Sequence, residues 1–545
     1  MPASQDRPDC IVVGYNDLDF QASLEGAEAM ESYSPLYGEM LRASARFRGR
    51  RLPYMDLLNA GLNEATGGDY DFHVFKLPSL GVSYLTSFLR RRGLAAEGVQ
   101  FYNGELDRFR DLLSLRPRSV AITTTFYVDG APIKDIIQTV KKHSPDTQVI
   151  VGGPHIYNVC EAVDADTANF VLEEMGAEIY VFDSQGESSL AGAVEAVKNG
   201  SRDLSRVPNL IYRNGSGFER SERAVEDNDM DGNVVDWSIF DRSVYTPSVQ
   251  MRTARSCSFK CAFCRYPAVG GALKLNSVEV IEAELRKLKE QGVEQVIFID
   301  DTFNVPLPRF KKLCQMMIKN RFNFRWYSYF RCSNADQEAF DLMAESGCKG
   351  TFLGIESGDQ TVLDNMNKFA KIEKYIDGVV NLNKRGITTH ASFIVGYPGE
   401  TEQTIQNTID FINEAKPDFF NSGVFYYDTK APIAGMADKY GLKGSGFNWK
   451  HETMDWKEAA LQADRLYGEV SDSLILPTHM FDFWGIPYLL GNGFSVEQIK
   501  GFARHARPLL RAGLEDAKAD RTGLDDDFVR FFRESGKPKS GIVAA

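Results

Sequence analysis

Residues 255–267 read RSCSFKCAFCRYP, directly after the strand-like run VQMRT at Val249–Thr253. Cys257, Cys261 and Cys264 stand in C-x3-C-x2-C spacing on what reads as a loop leaving that strand. Soft thiolates this close on a short loop suit iron–sulfur or zinc chemistry. A structural zinc site takes four protein ligands, usually with His or Cys nearby. Here the next cysteine is Cys314, and no histidine lies between His155 and His390. Three thiolates with no local fourth fit a [4Fe–4S] cluster with one iron left open. The bland alternative is three buried core cysteines, and their place on a loop argues against it.

Working outward, strand patterns recur near Val249–Thr253, Gln295–Ile299, Arg325–Tyr329, Gly350–Gly354, Thr388–Val395 and Asp418–Phe425, with amphipathic helix patterns between them. An unbroken β-α series of this kind predicts a partial (β/α)6 barrel over residues 237–430, with chemistry at the carboxyl ends of the strands. Residues 214–236 are polar and rich in Gly and Asp, and read as a linker. Before them, CIVVGY, GVQFYN, SVAITTT and QVIVGGP alternate with helix-like segments such as SYLTSFLRRRG. That rhythm predicts a doubly wound α/β domain over residues 1–213. Residues 431–545 lose the rhythm and read as a mainly helical C-terminal region rich in Trp and Phe, a candidate cap over a substrate site.

At 545 residues the chain exceeds one hydrophobic core, so several domains are expected. The start MPASQDRPDC reads as no signal peptide, and no apolar run reaches the length of a membrane span. A net charge of −13 argues against a nucleic-acid surface. Eight cysteines are too sparse for a secreted disulfide scaffold, and the expected compartment is the reducing cytoplasm.

A cysteine triad of this spacing after the first strand of a barrel resembles the radical S-adenosylmethionine (SAM) superfamily. In that family the open iron takes the amine and carboxylate of SAM, and reduction cleaves SAM to a 5′-deoxyadenosyl radical. Further positions match in order at successive strand ends: Phe263 before the last cysteine, the acidic pair Asp300-Asp301, Arg331, Glu356 in GIESG, and Gly396, Tyr397 and Pro398 in FIVGYPGET. The resemblance implies that these hold SAM's methionine end, ribose and adenine. Taken singly, a strand-end Glu is often a surface residue and a Gly-Pro turn only a turn.

The first domain is similar to the cobalamin-binding domains that precede radical SAM barrels, through LGVSYLTSFLRRRG, a strand ending in Thr123-Thr124-Thr125, VGGPHIYN and SQGESSL. The resemblance implies a corrin site lined by Thr123, Thr124, Thr125, Phe126, Gly152, Gly153, Pro154, His155, Gln185, Gly186 and Glu187. The Asp-x-His-x-x-Gly motif that supplies a lower cobalt ligand elsewhere is absent, as is common in this class. Tyr426-Tyr427-Asp428, Trp449, His451 and Trp456 are candidates for a substrate cavity, with aromatic packing of the tail as the plainer reading.

The implied activity is that of a cobalamin-dependent (class B) radical SAM methyltransferase. It would move a methyl group from methylcobalamin to an unactivated carbon or phosphinate centre of a natural-product substrate. DWSIF before the cluster loop and LPSLGVSYL in the first domain look most like the phosphinate P-methyltransferase-like branch. The alternative is a cobalamin-binding radical SAM enzyme that cyclises or rearranges its substrate without methyl transfer. A third reading is an iron–sulfur sensor without turnover. The implied partners are a small-molecule or peptide natural product and a one-electron donor such as flavodoxin or ferredoxin.

Overall fold

The computed structural model describes residues 7–17, 19–29, 35–215, 217–477, 484–515 and 523–538. Residues 478–483 of the aromatic tail lie outside them. The chain divides into two compact units, one of Met1–Leu18 with Phe75–Tyr245, the other of Asp19–Val74 with Thr246–Ala545.

The strands of the first unit are β1 (Cys10–Tyr15), β2 (Ala96–Phe101), β3 (Ser119–Thr123), β4 (Gln148–Gly152), β5 (Ile179–Val181), β6 (Leu210–Asn214) and β7 (Gly217–Arg220). They lie in the order β2-β1-β3-β4-β5-β6-β7. Pairing is parallel through β5 and antiparallel beyond it. Along β1 the side chains alternate between two cores: Ile11 and Val13 pack on one face, Cys10 and Val12 on the other. Helices cover both faces, and for that reason the strand reads as a continuous apolar run with no polar alternation. Ser79 starts the helix Leu80–Arg91 by accepting a hydrogen bond from the Val82 amide, and that helix buries Val82, Phe88 and Leu89 on the sheet. This is the doubly wound domain expected from the sequence.

The expected linker 214–236 is structured and belongs to this unit. β7 extends the sheet by pairing with β6. Farther on, the Glu226 carboxylate accepts hydrogen bonds from the Ser188 and Ser189 amides, at 2.8 and 2.7 Å, in the first turn of the helix Glu187–Lys198. The acidic residue that reads as linker composition is here a cap for unpaired helix amides. Residues 237–245, assigned by sequence to the barrel, also group with the first unit.

In the second unit the sheet takes β8 (Ser248–Met251), β9 (Gln295–Phe298), β10 (Arg325–Tyr329), β11 (Cys348–Glu356), β12 (Thr388–Val395), β13 (Phe419–Val424) and β14 (Leu474–Ile475), in that order. All the pairings are parallel. Register places Tyr329 beside Phe352, Phe352 beside His390 and His390 beside Phe419, so one layer of rings fills the inner face. Two features depart from the sequence reading. The short strand β14 adds a seventh member from within the region expected to be helical. The segment 19–74, expected in the doubly wound domain, instead packs with the C-terminal helices: Phe47 meets Phe528 at 5.6 Å, and Arg48 bridges Glu64 and Asp526 at 2.6 and 2.8 Å. The remainder of the tail is mainly helical, with helices at Trp456–Glu469, Val496–Glu515 and Leu524–Ser535.

Candidate active site

The cysteine loop leaves β8 at a point fixed by Asp300, which follows β9. The Thr253 and Ala254 amides donate to one carboxylate oxygen of Asp300 at 2.6 and 2.9 Å. Arg309 Nη2 donates to the Thr253 and Asn276 carbonyls, each at 3.0 Å. The antiparallel pair Ala254–Arg255 and Lys274–Leu275 then brackets the loop. Ser256 enters it in the left-handed region, φ +70°, with its hydroxyl donating to the Gly271 carbonyl at 2.6 Å. On its far side the loop is tied to the segment after β11. The Ala262 amide donates to the Met366 carbonyl at 2.8 Å, and Asn367 Nδ2 donates to the Lys260 carbonyl at 2.7 Å.

The loop forms one wall of a cavity of ≈ 220 Å³ that collects Cys257, Cys261, Cys264, Phe263, Asp301, Arg331 and Glu356 from separate strand ends. Phe259, Thr302, Phe330, Phe352 and Lys368 complete much of its lining. The structure thus brings together the three thiols and four further residues that sequence assigned to SAM. Burial pushes the Cys264 thiol up to about 11, so a thiolate there needs a positive partner such as a metal. Burial, with the neighbouring Asp300 charge adding to it, also raises the Asp301 carboxyl to about 6. The Arg331 guanidinium lies over the Phe259 ring at 3.7 Å, and among the described residues its buried Nη2 has no hydrogen-bond partner. A desolvated, unpaired guanidinium donor is costly in a finished core and fits a pocket that receives an anionic or carbonyl group.

Gly396, Tyr397 and Pro398 lie at the end of β12 and are not among the residues lining this cavity. Gly396, φ +88°, packs against Ala459 and Trp449, while the Tyr397 ring is buried 5.1 Å from Phe425. The turn is held by the buried Glu400 carboxylate, which accepts from the Gly396 amide, and by His451, whose Nε2 is 3.1 Å from the Gly396 carbonyl. Trp449 Nε1 donates to the Phe425 carbonyl at 2.6 Å and its ring stacks on His451, so this part of the aromatic tail is packing.

In the first unit, Thr123 to Phe126, Gly152 to His155, and Gln185 with Gly186 gather at the carboxyl ends of β3, β4 and β5. Gly153, φ +108°, leaves no room for a side chain, because a Cβ there would stand 2.9 Å from Thr124 Oγ1. That hydroxyl donates to the Gly152 carbonyl at 3.0 Å and accepts from the His155 amide at 3.1 Å, which sets the Gly-Gly-Pro turn at the start of the helix Pro154–Ala162. Phe126 and Val128, which follow β3, are exposed at 44% and 85%, and the Phe126 ring lies 5.4 Å from Phe75. Glu187 is buried, and its carboxylate accepts from Asn228 Nδ2 at 2.9 Å. His155 is half-buried, which lowers its pKa below the ordinary value.

Sequence reasoning missed Lys368, Asn304 and Glu400. Asn304 is fully buried and clamps Arg331, its Oδ1 accepting from the Arg331 amide and its Nδ2 donating to the Arg331 carbonyl, both at 3.0 Å. Glu400 follows the Gly-Tyr-Pro-Gly turn directly and could have been found as the anion that such a turn's amides take.

Among the described residues, no three His, Cys, Asp or Glu side chains gather for a single metal ion. Three thiols without a fourth, sharing a pocket of ≈ 220 Å³ with an orphaned guanidinium, fit a bulkier group and a polar ligand beside it.

Residues 251–412 match the model of the radical SAM superfamily, the family whose domain holds a [4Fe–4S] cluster and SAM. An uncharacterised methyltransferase of Pyrococcus horikoshii is 25% identical over 396 residues, covering 69% of this chain and 82% of its own length. An anaerobic magnesium-protoporphyrin IX monomethyl ester cyclase of Rubrivivax gelatinosus is 25% identical over 398 residues, 68% of each chain. Among solved structures, the radical SAM methyltransferase TsrM of Kitasatospora setae, with cobalamin and a [4Fe–4S] cluster bound, shares the fold. The TM-score is 0.59 at 18% identity, covering 84% of this chain and 97% of that one.

Proposed function

Taking the chain as an enzyme with a radical SAM domain at residues 251–412, we propose that it is a cobalamin-dependent methyltransferase. Its acceptor would be an unactivated carbon or phosphinate centre of a natural-product substrate, small molecule or peptide. The observation that carries this reading is the presence, in one chain, of the thiol-lined pocket and of a doubly wound unit with a tight Gly-Gly-Pro turn at its strand ends. The fold shared with cobalamin-bound TsrM supports it.

When bound, the cluster would supply the electron that splits SAM to the 5′-deoxyadenosyl radical, and cobalamin would supply the methyl group. The chain's own part is ligation, orientation and exclusion of water. Cys257, Cys261 and Cys264 would hold the cluster. Arg331 Nη2, which lacks a hydrogen-bond partner among the described residues, would take a carboxylate or carbonyl oxygen of SAM. Asp301 and Glu356 would face its cationic end, and Phe259, Phe263, Phe330 and Phe352 would keep the pocket dry. In the first unit, Thr123 to Phe126, Gly152 to His155, and Gln185 with Gly186 would line the corrin site.

The cyclase of Rubrivivax gelatinosus, matched over 68% of this chain, favours a second reading: a radical reaction that closes or rearranges a ring without methyl transfer. Either reaction needs a one-electron donor of the flavodoxin or ferredoxin class, and a cytoplasmic setting suits both. No described helix is long and apolar enough to cross a membrane.

The test is an anaerobic ultraviolet–visible spectrum of iron-reconstituted protein after exposure to hydroxocobalamin and desalting. Retained corrin bands above the cluster absorbance are expected, followed by S-adenosylhomocysteine formation on reduction with SAM. A cluster spectrum with no retained corrin overturns the cobalamin assignment. Corrin retention without S-adenosylhomocysteine shifts the reading to the non-methylating reaction.

A further inference from the structure

Lys368 is a buried lysine in the lining of the thiol pocket. Its Nζ donates to the Gly354 carbonyl at 2.8 Å and to Glu356 Oε1 at 3.3 Å. The backbone around this contact is held in sparsely populated conformations. Glu356 itself has φ +72°, and the residues flanking Lys368, Asn367 and Phe369, have φ +55° and +50°. Phe369 is turned out to solvent, 78% exposed, while its neighbour is turned in. Left-handed non-glycine residues persist only where the surroundings impose them, and they concentrate at functional sites. The same short segment is fastened to the cysteine loop, through the Met366 carbonyl to Ala262 and through Asn367 to Lys260.

We propose that Lys368 is a positioning residue of the SAM site: it links the cluster loop to β11 and holds the Glu356 carboxylate turned into the thiol pocket. The lysine engages Oε1, and among the described residues no hydrogen bond reaches Oε2, which is left for a donor in the pocket. Without the ammonium, the Glu356 carboxylate loses the contact that holds it toward the pocket, and as it turns toward water the negative charge that would meet SAM's cationic end is displaced. The inference rests on the cluster and SAM assignment and is independent of cobalamin.

The experiment compares wild type with Lys368→Arg, Lys368→Met, Glu356→Gln and the double variant Lys368→Met/Glu356→Gln. Each is reconstituted with iron and sulfide, and three quantities are read: iron content, the change SAM makes in the electron paramagnetic resonance spectrum of the reduced cluster, and the SAM Kd. Iron content is expected to stay at the wild-type level in all variants, because the cysteines are untouched. The SAM Kd is expected to rise at least about tenfold in Lys368→Met, similarly in Glu356→Gln, and no further in the double variant, since the two side chains act as one unit. Lys368→Arg recovers part of the affinity. A Kd within about twofold of wild type in Lys368→Met, or losses that multiply in the double variant, overturns the proposal. Should Lys368→Met fail to fold, the double variant, which leaves no lone buried charge, carries the same test: wild-type affinity there overturns it. Wild-type protein whose reduced cluster is unaffected by SAM overturns the pocket assignment itself, and that result appears before any variant is made.

Discussion

The Glu400 carboxyl is fully enclosed behind the turn at the end of β12, and burial pushes it up to about 8 although the Gly396 and Tyr397 amides pull it down. A carboxyl raised above its ordinary value of 4.5 contributes stability that is fully present below that value and is lost as pH rises through about 8. Wild-type protein is therefore expected to melt at progressively lower temperature from about pH 4.5 to about pH 8. Glu400→Gln, which still offers an oxygen to the Gly396 amide, should show a flatter profile over that window. Thermal melting across a pH series checks this, and parallel profiles for the two proteins would contradict it. Glu400, Asn304 and Lys368 escaped the sequence reading because each acts by burying a polar group against backbone: Glu400 against its own turn, Lys368 against Gly354 of the strand before it, and Asn304 against Arg331 at the next strand end. The thiols, Asp301, Arg331 and Glu356 were legible because each sits at a strand's carboxyl end in a fixed order. The order does not say which member of an acidic pair faces inward. The structure assigns Asp300 to the loop's base and Asp301 to the cavity.

Among elements, the helix Tyr54–Thr66 shows what a local pattern cannot say. Its amphipathic sequence predicts a buried face, and nothing in it names the partner. Gly61 supplies the answer, since a Cβ built there would stand 2.4 Å from Phe528 Cε1 and 2.7 Å from Phe532 Cε2, both in the helix Leu524–Ser535. Gly61→Ala gains about 1 kcal/mol of helix propensity and meets overpacking that typically costs about 1–3 kcal/mol. A lower melting temperature is expected, and a raised one would show that the two rings move aside freely. The six barrel strands read from sequence are all present, most of them rich in β-branched or aromatic residues and each followed by a helix pattern. Strand β14 is only two residues long and offers no period to detect. Glu226 and β7 were hidden for the opposite reason, since turn and capping chemistry has the composition of a linker.

For the whole molecule, the division into two units runs across the linear order of the chain: Asp19–Val74 joins Thr246–Ala545. An α/β series read from one end assigns such a segment to its neighbours in sequence, and only long-range packing corrects the assignment. The reaction assigned to the chain depends first on the second unit, where three of eight cysteines face a pocket while Cys314, Cys332 and Cys348 are buried in packing. The most direct measurement is iron and sulfide content, with 5′-deoxyadenosine formed from SAM under dithionite, for wild type, Cys261→Ala and Cys348→Ala. The account predicts about four irons and four sulfides per chain with 5′-deoxyadenosine in wild type and Cys348→Ala, and loss of both cluster and product in Cys261→Ala. A Cys261→Ala protein that keeps its iron and its turnover, or wild-type protein that holds a cluster and releases no 5′-deoxyadenosine, would contradict it.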